Sequence, residues 1–318
     1  MAQRIAKIWI DTDGGVDDVL ALACAYRDPG LSLSGISTVY GNVAPRKAAR
    51  NAALVQRLAQ ADLCPILVGA DGPSEGHWSH ARQIHGEDGV GGASAEHRLD
   101  YEDHVVTESG LDGAAEAMAR FARRIGPGGA IIALGPLTNL AHALQQAPQD
   151  FAKLGAIIVM GGSMSVPWVR RNGQEFNFGS DLRAARHVLE QARNLTIMPL
   201  DACRHVVLRR ARLAQMLRSS PDRLGQFLRR AHQHYMDAYK ANEGIDGCYP
   251  HDGLAVAALA KPDLMRFETL PLMLDDQGSF PGRLIISDAG NSIRIARAID
   301  QRRALNWIEA CLNGCSQD

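Results

Sequence analysis

The segment Asp11-Thr12-Asp13-Gly14-Gly15-Val16-Asp17-Asp18 places four carboxylates within eight residues. An apolar run at 5–11, typical of a buried strand, precedes it, and an amphipathic run at 17–27, typical of a helix, follows it. The first two aspartates are two residues apart and therefore share one face at the end of the strand. The last two fall at the start of the helix, where backbone N–H groups favour negative charge. The glycines between them permit a tight turn. We therefore predict a strand, turn and helix with a polar site at the carboxyl end of the strand.

The same alternation continues along the chain, where runs rich in Ile and Val are followed by amphipathic segments. Strands are predicted at 5–11, 31–39, 65–68, 130–134, 156–160 and 195–200, and helices at 17–27, 45–60, 113–125 and 138–146. A helical stretch at 209–242, a helix from 252, three strand-like runs at 269–274, 282–287 and 292–296 and a closing helix from about 300 complete the pattern. This order indicates an α/β fold with an open, mostly parallel, Rossmann-like sheet and helices on both faces. No linker or repeat divides the chain, so residues 1–318 are predicted to form a single domain.

The amino-acid composition and the net charge argue against several classes of protein. The 318 residues are 46% hydrophobic and 22% charged, with a net charge of −1, which is typical of a globular chain and argues against nucleic acid or a membrane as partner. The six cysteines include no CxxC pair, and neither a signal peptide nor a membrane-spanning run is evident. These features predict a soluble, cytoplasmic protein with reduced thiols.

The acidic segment itself favours a metal site. Four carboxylates held this close repel one another unless a cation or protons compensate. Oxygen ligands suit Ca²⁺ or Mg²⁺ better than zinc. The alternative, a helix cap, explains only one of the four carboxylates.

Further polar clusters follow predicted strands or lie in the two long connecting stretches, 69–109 and 161–180. They are Gly41-Asn42, His85-Gly86-Glu87-Asp88-Gly89, Gly135-Pro136-Leu137-Thr138-Asn139, Glu175-Phe176-Asn177 and Pro250-His251-Asp252-Gly253. Taken singly, each has a plain structural explanation as a turn, a helix cap or a polar loop. Together they point to one edge of the sheet, because ligands of open parallel sheets bind at the carboxyl ends of the strands.

These motifs, in this order and spacing, resemble the nucleoside hydrolases, the inosine-uridine preferring family of calcium-dependent N-ribohydrolases. The opening segment is similar to the family's Asp-x-Asp-Pro-Gly-x-Asp-Asp pattern, with Gly14 in place of proline. The resemblance covers essentially the whole chain and implies the nucleoside hydrolase fold. It also implies a small-molecule ribonucleoside as substrate and a homodimer or homotetramer.

The resemblance further implies a role for each motif. Ca²⁺ would be held by Asp13, Asp18, Asp252 and the backbone carbonyl of Thr138. Asp13 would deprotonate a calcium-bound water, which attacks the N-glycosidic bond through an oxocarbenium-like transition state. The ribose would contact Asp17, Asn42, Met160, Glu175 and Asn177. His251 would protonate the leaving base, and His85, Tyr235 and Tyr239 would line the base pocket.

Two departures from the family pattern bear on the substrate. The stretch 166–174 lacks the expected arrangement, with Trp168 near the place of an asparagine that contacts the 5′ end of the sugar. A phosphorylated ribose near Arg170 and Arg171 is one hypothesis that this departure raises. The segment 200–205 also differs, reading Leu-Asp-Ala-Cys-Arg-His in place of Leu-Asp-x-Thr-His.

Two other functions stay open at this point. A Mg²⁺-dependent phosphatase of the haloacid dehalogenase type would use Asp11 as nucleophile and Asp13 as acid and base, but Gly15 stands where that pattern has threonine. A non-catalytic ribose- or nucleoside-binding protein would use the same metal site without turnover.

Overall fold

The computed structural model describes residues 6–97, 106–165, 174–218, 222–275 and 282–314. The strands are β1 (Ala6–Thr12), β2 (Leu31–Thr38), β3 (Ile66–Val68), β4 (Val106–Glu108), β5 (Gly129–Ala133), β6 (Ala156–Met160), β7 (Leu195–Met198), β8 (Leu208–Arg209), β9 (Gly247–Cys248), β10 (Met265–Asp275), β11 (Arg283–Ile286) and β12 (Asn291–Ile299). The helices are α1 (Val16–Arg27), α2 (Pro45–Leu58), α3 (Arg82–His85), α4 (Gly110–Ile125), α5 (Thr138–Gln146), α6 (Pro148–Phe151), α7 (Phe176–Ser180), α8 (Leu182–Gln191), α9 (Leu200–Cys203), α10 (Arg210–Met216), α11 (Arg223–Glu243), α12 (His251–Ala260) and α13 (Gln301–Leu312).

Ten of these strands form one sheet in the order β11-β10-β12-β7-β6-β5-β1-β2-β3-β4. Every neighbouring pair is parallel except the two that involve β10, which is antiparallel to β11 and to β12. β1 lies between β2 and β5, so the chain winds outward in opposite directions from it. A crevice for a ligand forms at such a switch point, beyond the carboxyl ends of the strands.

The two faces of the sheet carry separate hydrophobic cores, and β1 shows why. Ile8 and Ile10 pack in one core together with α1, α2, α11, α12 and α13. Trp9, between them, points to the other face and packs with α4, α5 and α8. Side chains alternate along a strand, so a strand buried on both faces reads as a continuous apolar run. The predicted α/β sheet with helices on both faces is confirmed.

The differences from the predicted elements lie where the pattern is weak. The run predicted as a strand over 195–200 ends at Met198, and Leu200 opens α9. The stretch 69–109 contains α3 and the edge strand β4, both too short for periodicity to reveal. Within the described residues, none of the helices combines the length and the apolar character needed to span a bilayer.

Candidate active site

The turn after β1 brings the acidic segment to the carboxyl end of the sheet. Gly14 has φ +72°, a left-handed value that a proline ring excludes, so the family's proline could not stand in this turn as it is built here. At Gly15 a Cβ atom would lie 2.6 Å from Nδ1 of His85. Gly15 therefore lets the start of α1 approach His85, and Gly14 lets the turn approach Ala48 of α2.

Asp18 holds the turn together. Its Oδ2 accepts from the Gly15 amide at 2.8 Å, and its Oδ1 accepts from the Thr12 hydroxyl and from the Asp13 amide. This carboxylate is fully buried. Three of its hydrogen bonds come from the turn itself, and the side-chain amide of Asn42 donates a fourth to Oδ2 at 3.4 Å, so both of its oxygens have partners.

Asp13 lies next to Asp18 and is 1% exposed. Asn42 holds both of its oxygens, donating from its backbone amide to Oδ2 and from its side-chain amide to Oδ1, each at 2.8 Å. Burial first, and then the charge of Asp18, raise the pKa of Asp13 well above its usual range. The predicted proximity of the acidic segment to Gly41-Asn42 is therefore seen in the structure.

Of the four aspartates in the acidic segment, Asp17 is the one that lines the cavity at the carboxyl end of the sheet. Its Oδ1 is buried without a hydrogen-bond partner among the described residues. Burial and the neighbouring Asp18 raise the pKa of Asp17 to about 8. Asp17, Asp18 and Asp252 each offer an oxygen within 4.8 Å of one another, and burial together with Asp17, Asp18 and Asp13 raises the pKa of Asp252 well above its usual range. This buried cluster of three carboxylates could bind a metal ion.

Asp11 is placed differently from the other acids. It is fully buried, and its Oδ1 accepts from Ser37 at 2.5 Å and from Asn139 at 2.9 Å. Desolvation raises its pKa to about 7. It does not line the cavity, so it is poorly placed for the nucleophilic role of the phosphatase hypothesis.

The side chain of Thr138 lies outside the cavity. Its hydroxyl donates to Asp181 at 2.8 Å, and the residue lines a different depression, beside α8. Leu134, which follows β5, lines the cavity. Metal binding by the backbone carbonyl of Thr138 stays a prediction.

Two residues predicted to contact the sugar, Glu175 and Asn177, form hydrogen bonds with backbone groups. Glu175 directly precedes α7. Its carboxylate accepts from the amides of Gly162 and Phe178 at 2.9 Å and of Asn177 at 3.0 Å. The Asn177 side chain donates to the carbonyls of Leu134 at 2.7 Å and Met160 at 3.1 Å. All four of Leu134, Met160, Glu175 and Asn177 line the cavity.

His85, the last residue of α3 in the stretch 69–109, contacts the start of α1. Its Nδ1 accepts from the Val16 amide at 3.0 Å, which leaves the ring proton on Nε2. Burial first, and then His251, lower the pKa of His85 to about 3, so the ring is neutral and its 3.9 Å approach to Asp17 is not an ion pair. The Tyr235 ring packs against it at 4.9 Å between centroids.

His251 lies at the first residue of α12, directly before Asp252. Its Nε2 is 3.4 Å from the Tyr239 hydroxyl, and its Nδ1 is buried without a partner among the described residues. Burial, followed by the charge of Arg204, lowers the pKa of His251 to about 3. The imidazole is therefore neutral near pH 7.

Ten of the residues predicted for the site line one cavity of about 780 Å³, its open mouth included, whereas Asp13 and Asp18 are not part of that lining. We call the part lined by Asp17 and Asp252, with which the buried Asp18 clusters, its acidic end. The described lining also contains residues that sequence reasoning did not select: Ala81, Ile84, Leu134, Phe176, Leu200, Arg204, Asn242 and Glu243. A signal for two of them exists, because Asn242 and Glu243 continue the helix face of Tyr235 and Tyr239 at spacings of three and four residues.

Arg204 and Glu243 form a bidentate ion pair with nitrogen–oxygen distances of 3.2 and 2.7 Å. The guanidinium also lies over the Tyr249 ring, 4.6 Å from its centroid. We call this pair the ion-pair end of the cavity. Of the departures from the family pattern, the segment 200–205 is thus described and contributes Arg204, whereas Trp168, Arg170 and Arg171 lie outside the described residues.

Comparisons with known proteins identify the family to which the whole chain is similar. The family model described as inosine-uridine preferring nucleoside hydrolase matches residues 8–306. The non-specific ribonucleoside hydrolase RihC of Escherichia coli is 29% identical over 312 residues, which cover 96% of this chain and 97% of that protein. A probable uridine nucleosidase 2 of Oryza sativa is 28% identical over 87% of this chain and 80% of its own.

Solved structures extend the likeness to the fold. A purine-preferring ribonucleoside hydrolase from Gardnerella vaginalis superposes with a TM-score of 0.87 at 26% identity, covering 97% of this chain and 98% of its own. The family match, the relatives and the fold all point the same way, and the chain belongs to the inosine-uridine preferring nucleoside hydrolase family.

Proposed function

We propose that this protein hydrolyses the N-glycosidic bond of ribonucleosides, releasing the free base and ribose, with Ca²⁺ bound at the acidic end of the cavity. The observation that carries the proposal is the buried group Asp17, Asp18 and Asp252, of which Asp17 and Asp252 line the same cavity as the rings of Tyr235, Tyr239 and His85. One part of the cavity suits a cation and sugar hydroxyls, and the other suits a planar base.

The carboxylate cluster fits a hard divalent cation on two grounds. All three side chains offer oxygen, the ligand that Ca²⁺ prefers, and Oδ1 of Asp17 is buried without a partner. The raised pKa values of Asp17 and Asp252 express the cost of burying these acids together, a cost that a cation would remove. Asp13 and the Thr138 carbonyl as direct ligands stay predictions, and we propose the Leu134 carbonyl as an alternative to the latter because Leu134 lines the cavity.

When bound, the cation would lower the pKa of a water and hold the 2′- and 3′-hydroxyls of ribose. We assign Asp13 the role of general base, since a raised pKa brings a carboxylate closer to the value that proton transfer near neutral pH requires. Asn42 fixes the orientation of Asp13 through two hydrogen bonds. Asp17, with its unpartnered oxygen, would accept from a ribose hydroxyl or orient the water.

The remaining residues would orient the sugar and the base. Glu175 and Asn177 are held rigidly by backbone groups and would contact the sugar together with Asn42 and Met160. Tyr235, Tyr239 and His85 would pack against the base. Because His251 is neutral, we propose that it stabilises the departing base through a hydrogen bond rather than as a charged acid.

The test is ribose release from inosine and from uridine, measured with Ca²⁺ and again after chelation. Release that disappears with chelation and returns with Ca²⁺ is the expected result. Release unaffected by a chelator would contradict the metal assignment, and no release from either nucleoside would contradict the activity. Phosphatase activity is not expected, because Asp11 is sealed behind Ser37 and Asn139. The homo-oligomeric state and the cytoplasmic location stay predictions.

A further inference from the structure

Two parts of the active site come from distant parts of the chain and have to be held at a fixed distance. The acidic turn at 11–18 carries the proposed base and metal ligands, whereas His85, from the stretch 69–109, belongs to the lining proposed to contact the nucleobase. The bond to be cleaved lies between them, and a displacement of about 1 Å can slow a reaction about 10²-fold. The contacts that set this distance are therefore candidates for a role in the reaction.

The side chain of Asn51 joins these two parts. Asn51 lies on α2 and is 3% exposed. Its Nδ2 donates to the carbonyl of Gly14 in the acidic turn at 2.9 Å. The same nitrogen donates to the carbonyl of Asp88, three residues after His85, at 2.8 Å. A carbonyl oxygen only accepts hydrogen bonds, so the two contacts fix which end of the amide faces them. The two N–H groups of the side chain thus connect the acidic turn to the segment that follows His85.

Close backbone packing surrounds this bridge on both sides. Ala48, one turn before Asn51 on α2, packs against the turn, since a Cβ atom on Gly14 would lie 2.4 Å from the Ala48 Cα atom. On the other side, a Cβ atom on Gly89 would lie 2.7 Å from the Gly14 carbonyl oxygen and 3.1 Å from Nδ2 of Asn51. The acidic turn, α2 and the segment after His85 are therefore in direct contact around the Asn51 amide.

The segment 85–94 is held together by hydrogen bonds of its own. The carboxylate of Asp88 accepts from three backbone amides further along, those of Val90, Gly92 and Ser94. The Gly91 amide donates back to the His85 carbonyl at 2.8 Å. A shift of the Asp88 carbonyl would therefore be transmitted to His85 rather than absorbed within the segment.

His85 is the residue of this segment that reaches the cavity. Its Nδ1 accepts from the Val16 amide at 3.0 Å, and its ring packs against that of Tyr235 at 4.9 Å between centroids. Asn51 is not part of the cavity lining. Any effect of Asn51 on the reaction therefore has to pass through the groups that it holds.

We propose that Asn51 is a positioning residue for the hydrolysis, because its bridge from Gly14 to Asp88 fixes where His85 stands relative to the acidic turn. The inference rests on the proposed N-ribohydrolase activity and deepens it. Without the bridge, the sugar would still bind at the acidic end and at Glu175, whereas the departing base would meet a displaced His85. The loss is therefore expected in kcat rather than in KM.

Two variants remove the bridge in different ways. Asn51→Ala deletes both hydrogen bonds without adding a charge, and Asn51→Asp keeps the shape but presents acceptors to two carbonyl oxygens. Each is expected to lower kcat for ribose release from inosine about tenfold and to change KM less than about threefold. Thermal unfolding of each variant sets an assay temperature at which it is fully folded.

A control with the same chemistry is available in Asn291. Its Nδ2 also donates to two backbone carbonyls, those of Leu189 at 3.1 Å and Glu190 at 2.7 Å. Asn291 does not line the cavity, so Asn291→Ala should leave kcat within about twofold of the wild type.

A double-mutant cycle separates positioning from a general loss of structure. In a His85→Ala background, Asn51→Ala is expected to lower kcat less than about twofold, because the group that it positions is already missing. In a Tyr239→Phe background, the same substitution should keep its effect of about tenfold. A variant that is only less completely folded would instead lower the rate by one factor in every background.

Hydrogen exchange of the wild type tests the inference even if the variants fail to fold. The amides of 86–94 should exchange at least about 10²-fold more slowly than those of an unstructured peptide, because the segment is held to the acidic turn. Exchange at the rate of an unstructured peptide would refute the inference.

Two kinetic results would also overturn it: a kcat for Asn51→Ala within twofold of the wild type, or an equal loss with and without His85. Either of them leaves the proposed activity in place. Absence of ribose release from the wild type, with Ca²⁺ present, refutes the proposed activity and this inference with it.

Discussion

Beside the acidic end of the cavity, the side chains of Asp13 and Asp18 are at most 1% exposed. They accept hydrogen bonds from backbone amides of the turn and of Asn42. At the ion-pair end, Arg204 and Glu243 are held by each other and by Tyr249, with more of each side chain in contact with solvent. The acidic end is built from strand ends and a helix start, which tolerate little change. The ion-pair end joins the terminal turn of α11 to the residue after α9, where substitution is less costly.

Asp13→Asn tests the acidic end most severely. The loss of the general base is expected to lower kcat for ribose release about 10³-fold. The fold should survive with a loss of about 1–3 kcal/mol in the free energy of unfolding, because the amide places one donor against an N–H of Asn42. Thermal unfolding measures the stability of the variant, and nucleoside binding measures whether its site still holds the substrate. Binding retained without turnover would identify a catalytic role, whereas turnover within tenfold of the wild type would remove Asp13 from the mechanism.

The pH dependence of calcium binding is the next test of the acidic end. The pKa of Asp17 rises from its ordinary value of 3.8 to about 8, so between these values the folded, metal-free protein binds a proton that the unfolded chain does not. The metal-free protein should therefore lose stability through this group as the pH rises toward 8. Ca²⁺ must displace the proton, so its affinity should fall about tenfold per unit as the pH drops from 8 to 6.

The measurement is the rise in melting temperature that Ca²⁺ produces at each pH. In Asp17→Asn one of the protons that Ca²⁺ must displace is absent, so the remaining rise in melting temperature should depend less steeply on pH. An equal calcium effect at pH 6 and pH 8 in the wild type would contradict the assignment of Asp17 to the cation site.

Glu175→Gln tests the part of the cavity that is predicted to contact the sugar. The carboxylate accepts from three backbone amides, and the amide of glutamine turns one acceptor into a donor. Unfolding in urea should show a loss of about 1–3 kcal/mol, with roughly tenfold slower ribose release because the sugar contact shifts. Glu116→Gln, on the exposed face of α4, is the control and should change stability by less than about 0.5 kcal/mol.

Tyr239→Phe is expected to have the smallest effect. The hydroxyl is 3.4 Å from Nε2 of His251, which is a long hydrogen bond, so its loss should lower kcat/KM by only about fivefold. The ring and its packing on Tyr235 remain. A loss as large as that of Asp13→Asn would show that the aromatic part of the cavity is as demanding as the acidic end.

Much of the fold follows from local sequence. Strands such as Ala156–Met160 and the helix Thr138–Gln146 are found at their predicted bounds, because buried parallel strands and amphipathic helices have strong periodic signals. The direction of β10 had no such signal, since its antiparallel pairing depends on its two neighbours in the sheet, β11 and β12. The acidic segment could be predicted because strand end, turn and helix start are adjacent in sequence.

The rest of the site depends on contacts that no local pattern encodes. The Thr138 carbonyl was assigned to the metal on the resemblance alone and stays a prediction, while its hydroxyl donates to Asp181. Arg204 was noted only as part of the departure at 200–205 and was not assigned to the site. Its partner in the cavity, Glu243, comes from α11, 39 residues later. The sequence thus predicted the acidic turn better than the ion-pair end of the cavity.

The contact between the Val16 amide and His85 has a consequence for how the molecule assembles. The first amide of α1 finds its acceptor 69 residues further along the chain, so β1 and α1 alone cannot complete this helix start. The entropy of closing that long loop must be met before the contact forms. The loop that shapes the base pocket and the helix that carries Asp17 and Asp18 should therefore be completed in the same folding event. A nascent chain that ends before His85 would lack both.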